Sequence, residues 1–175
     1  MTGLIEVKLT ELNQLFNSMD PSPFHEKDLD DDAEEFIVSW AREHALDTPL
    51  TLRIHLEEWP VENPSRLVRE GVHHYFAYRG KLIEHDFRQL MRQARTSLLI
   101  GLGFLAACLF ASSYLLADVH GTVGNILREG LTIAGWVAMV RPMQLYLYEW
   151  WPLRRRSRLY AKLSRIPVEV VHKRG

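Results

Sequence analysis

The sequence contains one cysteine, Cys108, in 175 residues, which is too few for a disulfide framework or a paired-cysteine zinc site. It has no glycine-rich phosphate loop with a lysine and no Gly-x-Ser-x-Gly elbow, the patterns typical of nucleotide binding and of nucleophilic catalysis. Its 25% charged and 47% hydrophobic residues exclude a disordered or collagen-like chain. We therefore predict a non-enzymatic protein without a cofactor, of a length that favours one folding unit.

Charged side chains are almost missing from the middle third of the chain. Residues 1–95 carry 11 basic and 18 acidic side chains, residues 96–152 carry two and three, and residues 153–175 carry eight and one. This asymmetry indicates an acidic soluble part, an apolar membrane part and a basic tail. Nucleic-acid binding is not expected, because the basic residues gather beside the predicted membrane part.

An uncharged run of 21 residues, Thr96 to Leu116, predicts the first transmembrane helix (residues 96–116). At about 1.5 Å per residue it reaches roughly 31 Å, the thickness of a bilayer's hydrocarbon core. The alternative is a core helix of a soluble protein, which would still need a polar face. The polar side chains of the run are Thr96, Ser97, Ser112, Ser113 and Tyr114.

A second apolar segment predicts another transmembrane helix at Arg128 to Glu149 (residues 128–149). In this register the aromatic side chains near Trp150 and Trp151 lie at the headgroup boundary. The alternative register, Thr122 to Arg141, would place two charged residues in lipid instead of one. Basic side chains lie before the first span and after the second, whereas the loop at residues 117–127 has none before Arg128. This distribution predicts that both termini are cytoplasmic.

The segments outside the spans predict a small α/β unit made from both ends of the chain. Leu50 to Glu57 alternates apolar and polar residues, as a strand with one buried face does. Leu4 to Leu9 alternates too, and Ile166 to Val171 is rich in β-branched residues. The predicted fold class is therefore an α+β membrane protein: a transmembrane hairpin with a cytoplasmic unit of about three strands, formed by residues 1–95 and 150–175.

Two helices are predicted in residues 1–95. The first runs from Asp32 to His44, with a capping box at its start and one buried face; that face comprises Phe36, Ile37, Trp40, Ala41 and His44. The second begins at Pro64 with Asn63 as its N-cap. It continues toward the first span, and Gly71 and Gly80 are the expected places for a bend.

Neither polar cluster of the sequence predicts a metal site. The acidic run starting at Asp28 lacks the glycine and the terminal glutamate of a calcium loop, which leaves helix capping or a docking surface for a basic partner. The histidines His73, His74 and His85 are not one helical turn apart, the spacing that a metal pair on a helix needs.

Small residues recur every fourth position on both predicted spans, which lets helix backbones approach closely in lipid. We predict that the two stripes pack against each other, or that one of them makes a subunit contact. The stripes are Gly103, Ala107 and Ala111 on the first span, and Gly130, Ala134 and Ala138 on the second.

Arg141 and Pro142 are the predicted functional candidates, because an arginine within a span is costly and a proline loosens the helix there. Arg141 either extends toward the headgroups at a kink or meets a carboxylate or a freed carbonyl across a helix interface. The basic tail either binds an anionic inner leaflet or serves only as the topology signal. Its first arginines are Arg154, Arg155, Arg156 and Arg158.

Several short strings resemble a group of uncharacterised two-span bacterial inner-membrane proteins. They are Asp20-Pro21-Ser22-Pro23-Phe24, Asp28-Leu29-Asp30, Ala33-Glu34-Glu35-Phe36-Ile37, Gly135-Trp136-Val137, Arg141-Pro142 and Trp150-Trp151-Pro152. The resemblance implies a multi-pass protein of the bacterial inner membrane and lends no catalytic residue. Two functions stay open: a scaffold, assembly or regulatory subunit that presents its α/β unit to a protein partner, or a homo-oligomeric pore or transport element built on the second span.

Overall fold

The computed structural model describes residues 3–17, 19–20, 23, 27–60, 63–116, 119 and 121–172. Pro21, Ser22 and Phe24 of the resemblance strings lie outside these residues, as do Ala117, Asp118 and His120 of the predicted outer loop. The chain divides into two units, one of Met1–Ile83 with Arg155–Gly175 and one of Glu84–Arg154. The first unit contains the sheet and the second the apolar helices.

The sheet has three parallel strands, β1 (Gly3–Leu9), β2 (Leu50–Leu56) and β3 (Val168–His172), with β2 in the centre. Ile54 of β2 is level with Val7 on one side and with Val170 on the other. All pairs are parallel because helical segments separate the strands in sequence, as parallel pairing requires. The three predicted strands are confirmed, and the two ends of the chain meet on either side of β2.

One face of the sheet forms the core of the first unit. The alternating residues Ile5, Leu52 and Ile54 are fully buried, which is the burial pattern that their period of two predicts. The opposite face carries a row of charges: Arg53 lies 2.9 Å from Glu169 and 3.8 Å from Glu6. The sheet is therefore covered on its apolar face and polar on the other.

Helix α1 (Asp31–Glu43) covers the sheet, but with a different face from the predicted one. Its buried residues are Ala33, Glu34, Ile37, Val38 and Ala41. Phe36 and Trp40 are about two-fifths exposed. The predicted buried face was therefore wrong at these two large aromatic side chains. The predicted capping box, Asp31 with Glu34 or Asp32 with Glu35, does not start the helix, because Asp30 is the N-cap and accepts a hydrogen bond from the Asp32 N–H.

Helix α2 (Ser65–Phe110) runs through 46 residues without a break at Gly71 or Gly80. As predicted, Asn63 caps its start, accepting a hydrogen bond of 3.0 Å from the Ser65 N–H. Val68, Val72 and Phe76 are fully buried in the core of the first unit. A π-helical turn, Ala111–Leu115, ends the helical segment.

In the second unit α3 (Thr122–Ala138) begins directly after Gly121 and packs against α2 at Gly101 and Gly135. Gly121 has φ of +98°, a conformation that residues other than glycine rarely adopt. The Arg128 guanidinium donates to the Leu116 carbonyl over 2.7 Å. It thus satisfies one of the carbonyls that the end of the preceding helical segment leaves free.

The predicted second span, residues 128–149, is not one helix. It comprises most of α3, then α4 (Val140–Gln144) and a π-helical turn (Leu145–Glu149). Helix α5 (Trp150–Leu163) follows the span. The break falls at Met139, three residues before Pro142, whose missing N–H interrupts the hydrogen-bond ladder. Helical structure also begins at Thr122 instead of Arg128.

Among the described residues, one helical segment is long and apolar enough to cross a membrane, judged by length and composition. This segment is Ser65–Tyr114, whose most apolar 18-residue window has a mean hydropathy of 1.8. It includes the predicted first span. The interrupted second segment does not meet the same criterion, so the two-span hairpin stays a prediction.

Candidate functional site

The side chain of Arg141 forms an ion pair with Glu149, with Nη1 and Oε1 2.8 Å apart. Both residues belong to the second unit and to the same interrupted helical stretch: Arg141 lies in α4, and Glu149 is the last residue of the π-helical turn. Arg141 therefore meets a carboxylate, but one on its own segment. Extension toward the headgroups and a contact across a helix interface both stay predictions. The two side chains are 58% and 38% exposed, so the pair lies at a surface of the second unit.

Pro142 contributes to a close contact between helices α2 and α3. It has no N–H for the Ala138 carbonyl, and that carbonyl oxygen lies 3.1 Å from the position where a Cβ would stand on Gly101. Pro142 Cγ is 3.5 Å from the same position. The missing side chain of Gly101 thus makes room for the carbonyl that the proline leaves unbonded.

Most members of the predicted small-residue stripes lie outside this helix contact, to which Ala138 contributes its backbone carbonyl. A Cβ added to Gly103 or to Gly130 would meet no other atom within 4 Å, and Ala107 and Ala134 are exposed. Close packing instead involves Gly101 and Gly135. A Cβ on Gly135 would lie 2.8 Å from Leu105 Cδ1 and 3.3 Å from Cys108 Cβ.

The two remaining members of the predicted stripes, Ala111 and Ala138, are half-buried. Residues four positions apart do share a helix face, as predicted. The face of α2 that packs against α3 is, however, the one next to the face of Gly103 and Ala107. Gly101, Cys108 and Ser112 are buried on it. The stripe that contains Gly103 and Ala107 is left exposed, and a contact with another subunit stays a prediction for it.

The four arginines predicted to meet lipid headgroups lie on α5 and are all exposed: Arg154, Arg155, Arg156 and Arg158. In the second unit Arg154 lies over the Trp150 ring, 5.7 Å from its centroid. In the first unit Arg156 lies over Tyr160 at 5.5 Å. Arg155 and Arg158 have no partner among the described residues and are free to meet anionic groups.

A buried carboxylate, Glu34, joins three helices of the first unit. As part of the acidic run it was expected to serve in helix capping or in a docking surface for a basic partner. It is 7% exposed and accepts hydrogen bonds from Tyr75 (2.5 Å), Tyr160 (2.6 Å) and Arg79 (2.9 Å). Its position on the apolar side of α1, three residues before Ile37, was the signal that could have revealed it. We call these four side chains the Glu34 network.

The contacts of the Glu34 network set its protonation. Burial raises the pKa of Glu34, but hydrogen bonds from Tyr160, Tyr75 and Arg79 outweigh this effect, so the pKa lies below its ordinary value of 4.5. Burial and the neighbouring carboxylate raise the pKa of Tyr75 and Tyr160 above the ordinary 10.0. An ionised glutamate and protonated tyrosines at neutral pH form a structural contact, because a proton transfer near pH 7 needs groups with pKa values close to it.

A groove of about 450 Å³ lies in the first unit, next to the carboxyl ends of β1 and β2. Its lining residues are Glu11, Leu12, Asn13, Glu58, Trp59, Pro60, Asn63, Pro64 and Leu67. The carboxyl ends of parallel strands are a common place for binding sites. Trp59 is 41% exposed and makes an edge-to-face contact with His172. We call this feature the Trp59 groove.

The other polar side chains singled out by the sequence have local roles. His73 Nε2 lies 2.7 Å from the Ile166 carbonyl oxygen in the first unit. Cys108 is a buried free thiol in the second unit. Within the part of the chain that the structure describes, no three histidine, cysteine or acidic residues are grouped as a metal site would need.

Comparisons with protein-family models, with curated proteins and with solved structures find no match to this chain. The resemblance to two-span bacterial membrane proteins therefore stays a prediction from short strings.

Proposed function

We propose that the chain is a non-enzymatic scaffold, assembly or regulatory subunit of the bacterial inner membrane. Residues 84–154 form the membrane hairpin, and the α/β unit is presented to a protein partner in the cytoplasm. The proposal is carried by one observation, the large apolar side chains that both helices of the second unit leave exposed.

These exposed side chains are more numerous than a water-soluble surface tolerates. Among the residues exposed by more than three-fifths are Leu99, Ile100, Val123, Ile126, Ile133, Trp136 and Val137. A soluble monomer rarely exposes a contiguous apolar patch of more than a few hundred Å². A bilayer removes this cost, because lipid chains are as apolar as the side chains that meet them.

The interrupted second helix is compatible with a membrane location. Non-helical backbone within a membrane is tolerated where neighbouring helices or protein surfaces accommodate the freed polar groups. The Ala138 carbonyl lies against Gly101 of α2, and the Leu116 carbonyl accepts from Arg128. These two backbone carbonyls, at positions where the helical hydrogen bonding is interrupted, therefore each contact another part of the chain.

The Trp59 groove is the proposed surface for the protein partner. Exposed carboxylates, Glu11 and Glu58, lie among its apolar lining residues. Residues 1–95 have an excess of seven acidic side chains (18 against 11). An aromatic side chain surrounded by carboxylates suits a partner segment that carries both basic and apolar residues.

Membrane fractionation of the full chain tests the proposed location. We expect the protein to stay in the pellet after alkaline carbonate washing, as an integral protein does, and to require detergent for release. Recovery in the carbonate supernatant would contradict the proposal. A photo-cross-linking residue at Leu12, compared with one at Arg42 on the exposed side of α1, tests whether a partner occupies the groove.

The alternative function, a homo-oligomeric pore or transport element on the Arg141–Pro142 span, has weaker support. The Arg141 charge is already balanced by Glu149, and Pro142 is buried against α2. Neither residue therefore provides the unpaired charge or the open backbone that would favour a polar path.

A further inference from the structure

A polar stripe runs along one side of α3 in the second unit, on a helix whose other exposed side chains are mostly apolar. Asn125, Arg128, Glu129 and Thr132 are spaced by three and four residues, which places them on one side of a helix. Together with Ser112 and Ile133 they line a surface cavity of about 490 Å³. We call these four residues the α3 polar stripe.

The residues of the α3 polar stripe differ in whether their side chains have hydrogen-bond partners. Arg128 donates to the Leu116 carbonyl, and the Thr132 hydroxyl donates to the Arg128 carbonyl over 2.9 Å. Glu129 is exposed and has no hydrogen-bond or ion-pair partner among the described residues. Its surroundings on the same helix are apolar, since Ile126, Ile133 and Trp136 are each more than three-fifths exposed.

The position of Glu129 matters if the hairpin lies in a membrane, as proposed above. It is the eighth residue of α3, about 10 Å along the axis from the first residue at 1.5 Å per residue. Ionisable side chains at such a depth almost always face protein or water and are paired. The described residues offer Glu129 no hydrogen-bond or ion-pair partner, so its charge is left to water in the cavity or to a second molecule.

We propose that the α3 polar stripe binds a second copy of this chain, with Arg128 of each copy paired to Glu129 of the other. This inference rests on the proposed membrane location of the hairpin. Its basis is charge complementarity, because a half-buried cation, Arg128, and an exposed anion, Glu129, occupy neighbouring positions on one side of α3. A surface of this kind is complementary to itself, which an isologous dimer requires.

The helix geometry allows both pairs at once. Consecutive residues differ by about 100° around a helix and by about 1.5 Å along it, so Arg128 and Glu129 flank the line through Asn125 and Thr132 on its two sides. When two such helices lie side by side and parallel, the flanking residues of one meet the opposite flanking residues of the other. A two-fold axis along the membrane normal keeps all four at nearly one depth.

The residues at the centre of the stripe fit the same arrangement. Asn125 and Thr132 are seven residues apart, the repeat that keeps facing positions in register between two helices. Each would meet its own equivalent in the second copy. Amide and hydroxyl side chains that hydrogen-bond across helices are a recurring means of association in membranes.

Charge reversal tests the pairing in the full-length protein. Two versions of the chain with different affinity tags are produced together, solubilised in mild detergent and purified through one tag. We expect Arg128→Glu in both copies, or Glu129→Arg in both, to reduce co-purification at least tenfold. Arg128→Glu in one copy with Glu129→Arg in the other should restore it, because each pair then again joins opposite charges.

The control for this experiment is Glu35→Arg, an exposed position of α1 in the first unit, which should leave co-purification unchanged. Parent copies that do not co-purify, or reversed variants that do so as well as the parent, would overturn the inference. A mixed pair that fails to recover would overturn it as well.

Cysteine cross-linking provides a second test that keeps Arg128 and its bond to Leu116 intact. In a Cys108→Ala background, Asn125→Cys should give a disulfide-linked dimer on mild oxidation of membranes. Val123→Cys, exposed on the opposite side of α3, should not. Equal cross-linking at both positions, or none at Asn125→Cys, would overturn the inference.

Carbonate washing of the same membranes separates the two proposals. If the parent chain stays in the pellet but the Asn125→Cys variant gives no dimer, the self-association is wrong and the membrane scaffold stands. If the parent chain is released, the membrane location itself is wrong.

Discussion

Tyr160 donates a hydrogen bond of 2.6 Å to Glu34 although the two residues are 126 positions apart. Between them in sequence lie the whole of α2 and the second unit. The bond therefore ties α5, which follows the apolar segment, to α1, which precedes it. Together with β3 beside β2, it makes the first unit depend on both ends of the chain.

The first prediction concerns the charge of Glu34. Glu34→Gln removes the carboxylate that three donors share and leaves Arg79 without its counter-ion, so the free energy of unfolding should fall by about 2–3 kcal/mol. Chemical unfolding of the purified chain in detergent measures this. Glu35→Gln, on the exposed side of the same helix, is the control and should change stability by less than about 0.5 kcal/mol.

The second prediction is the pH dependence of the same contact. Because the pKa of folded Glu34 lies below 4.5, its stabilisation is complete above that pH and is lost as the pH falls through the folded pKa. The raised pKa values of Tyr75 and Tyr160 add a loss as the pH rises above 10. The difference in unfolding free energy between the parent and Glu34→Gln should therefore shrink below pH 4.5. A difference that stays constant down to pH 3 would contradict this assignment.

The strands and the long helix were predictable, whereas the buried contacts between them were not. The period of two around Leu52 and Ile54 specifies a half-buried strand whatever surrounds it. The partners of Glu34 are more than 40 positions away in the sequence. No local sequence pattern shows that these side chains meet. Similarly, the sequence does not show that Gly101 and Gly103 have different surroundings. They differ because the Ala138 carbonyl lies against Gly101 and not against Gly103.

The third prediction uses that distinction. Gly101→Ala would place a Cβ 3.1 Å from a backbone oxygen, so that the neighbouring backbone must shift by a few tenths of an ångström, whereas Gly103→Ala meets open space. We expect Gly101→Ala to be less stable than Gly103→Ala by about 1–2 kcal/mol. Thermal unfolding of the two variants in one detergent provides the comparison. Equal stability would show that the two helices do not approach each other at Gly101.

The fourth prediction is that Arg141 contributes little to assembly. Its pair with Glu149 is largely exposed, and exposed ion pairs are worth about 0.2–1 kcal/mol. A double-mutant cycle of Arg141→Leu and Glu149→Gln should give a coupling energy in that range. Particle size in detergent should be the same for Arg141→Leu, Arg141→Lys and the parent. A loss of assembly confined to the leucine variant would instead favour the pore alternative.

The proposed membrane topology can be tested by labelling single cysteines from one side of the membrane. In a Cys108→Ala background, Thr122→Cys marks the turn before α3 and Ser39→Cys marks the exposed side of α1. A membrane-impermeant maleimide applied to spheroplasts should label Thr122→Cys, and should label Ser39→Cys only after lysis. Labelling of Ser39→Cys before lysis, or of Thr122→Cys only after it, would contradict a hairpin that turns outside and carries its α/β unit inside.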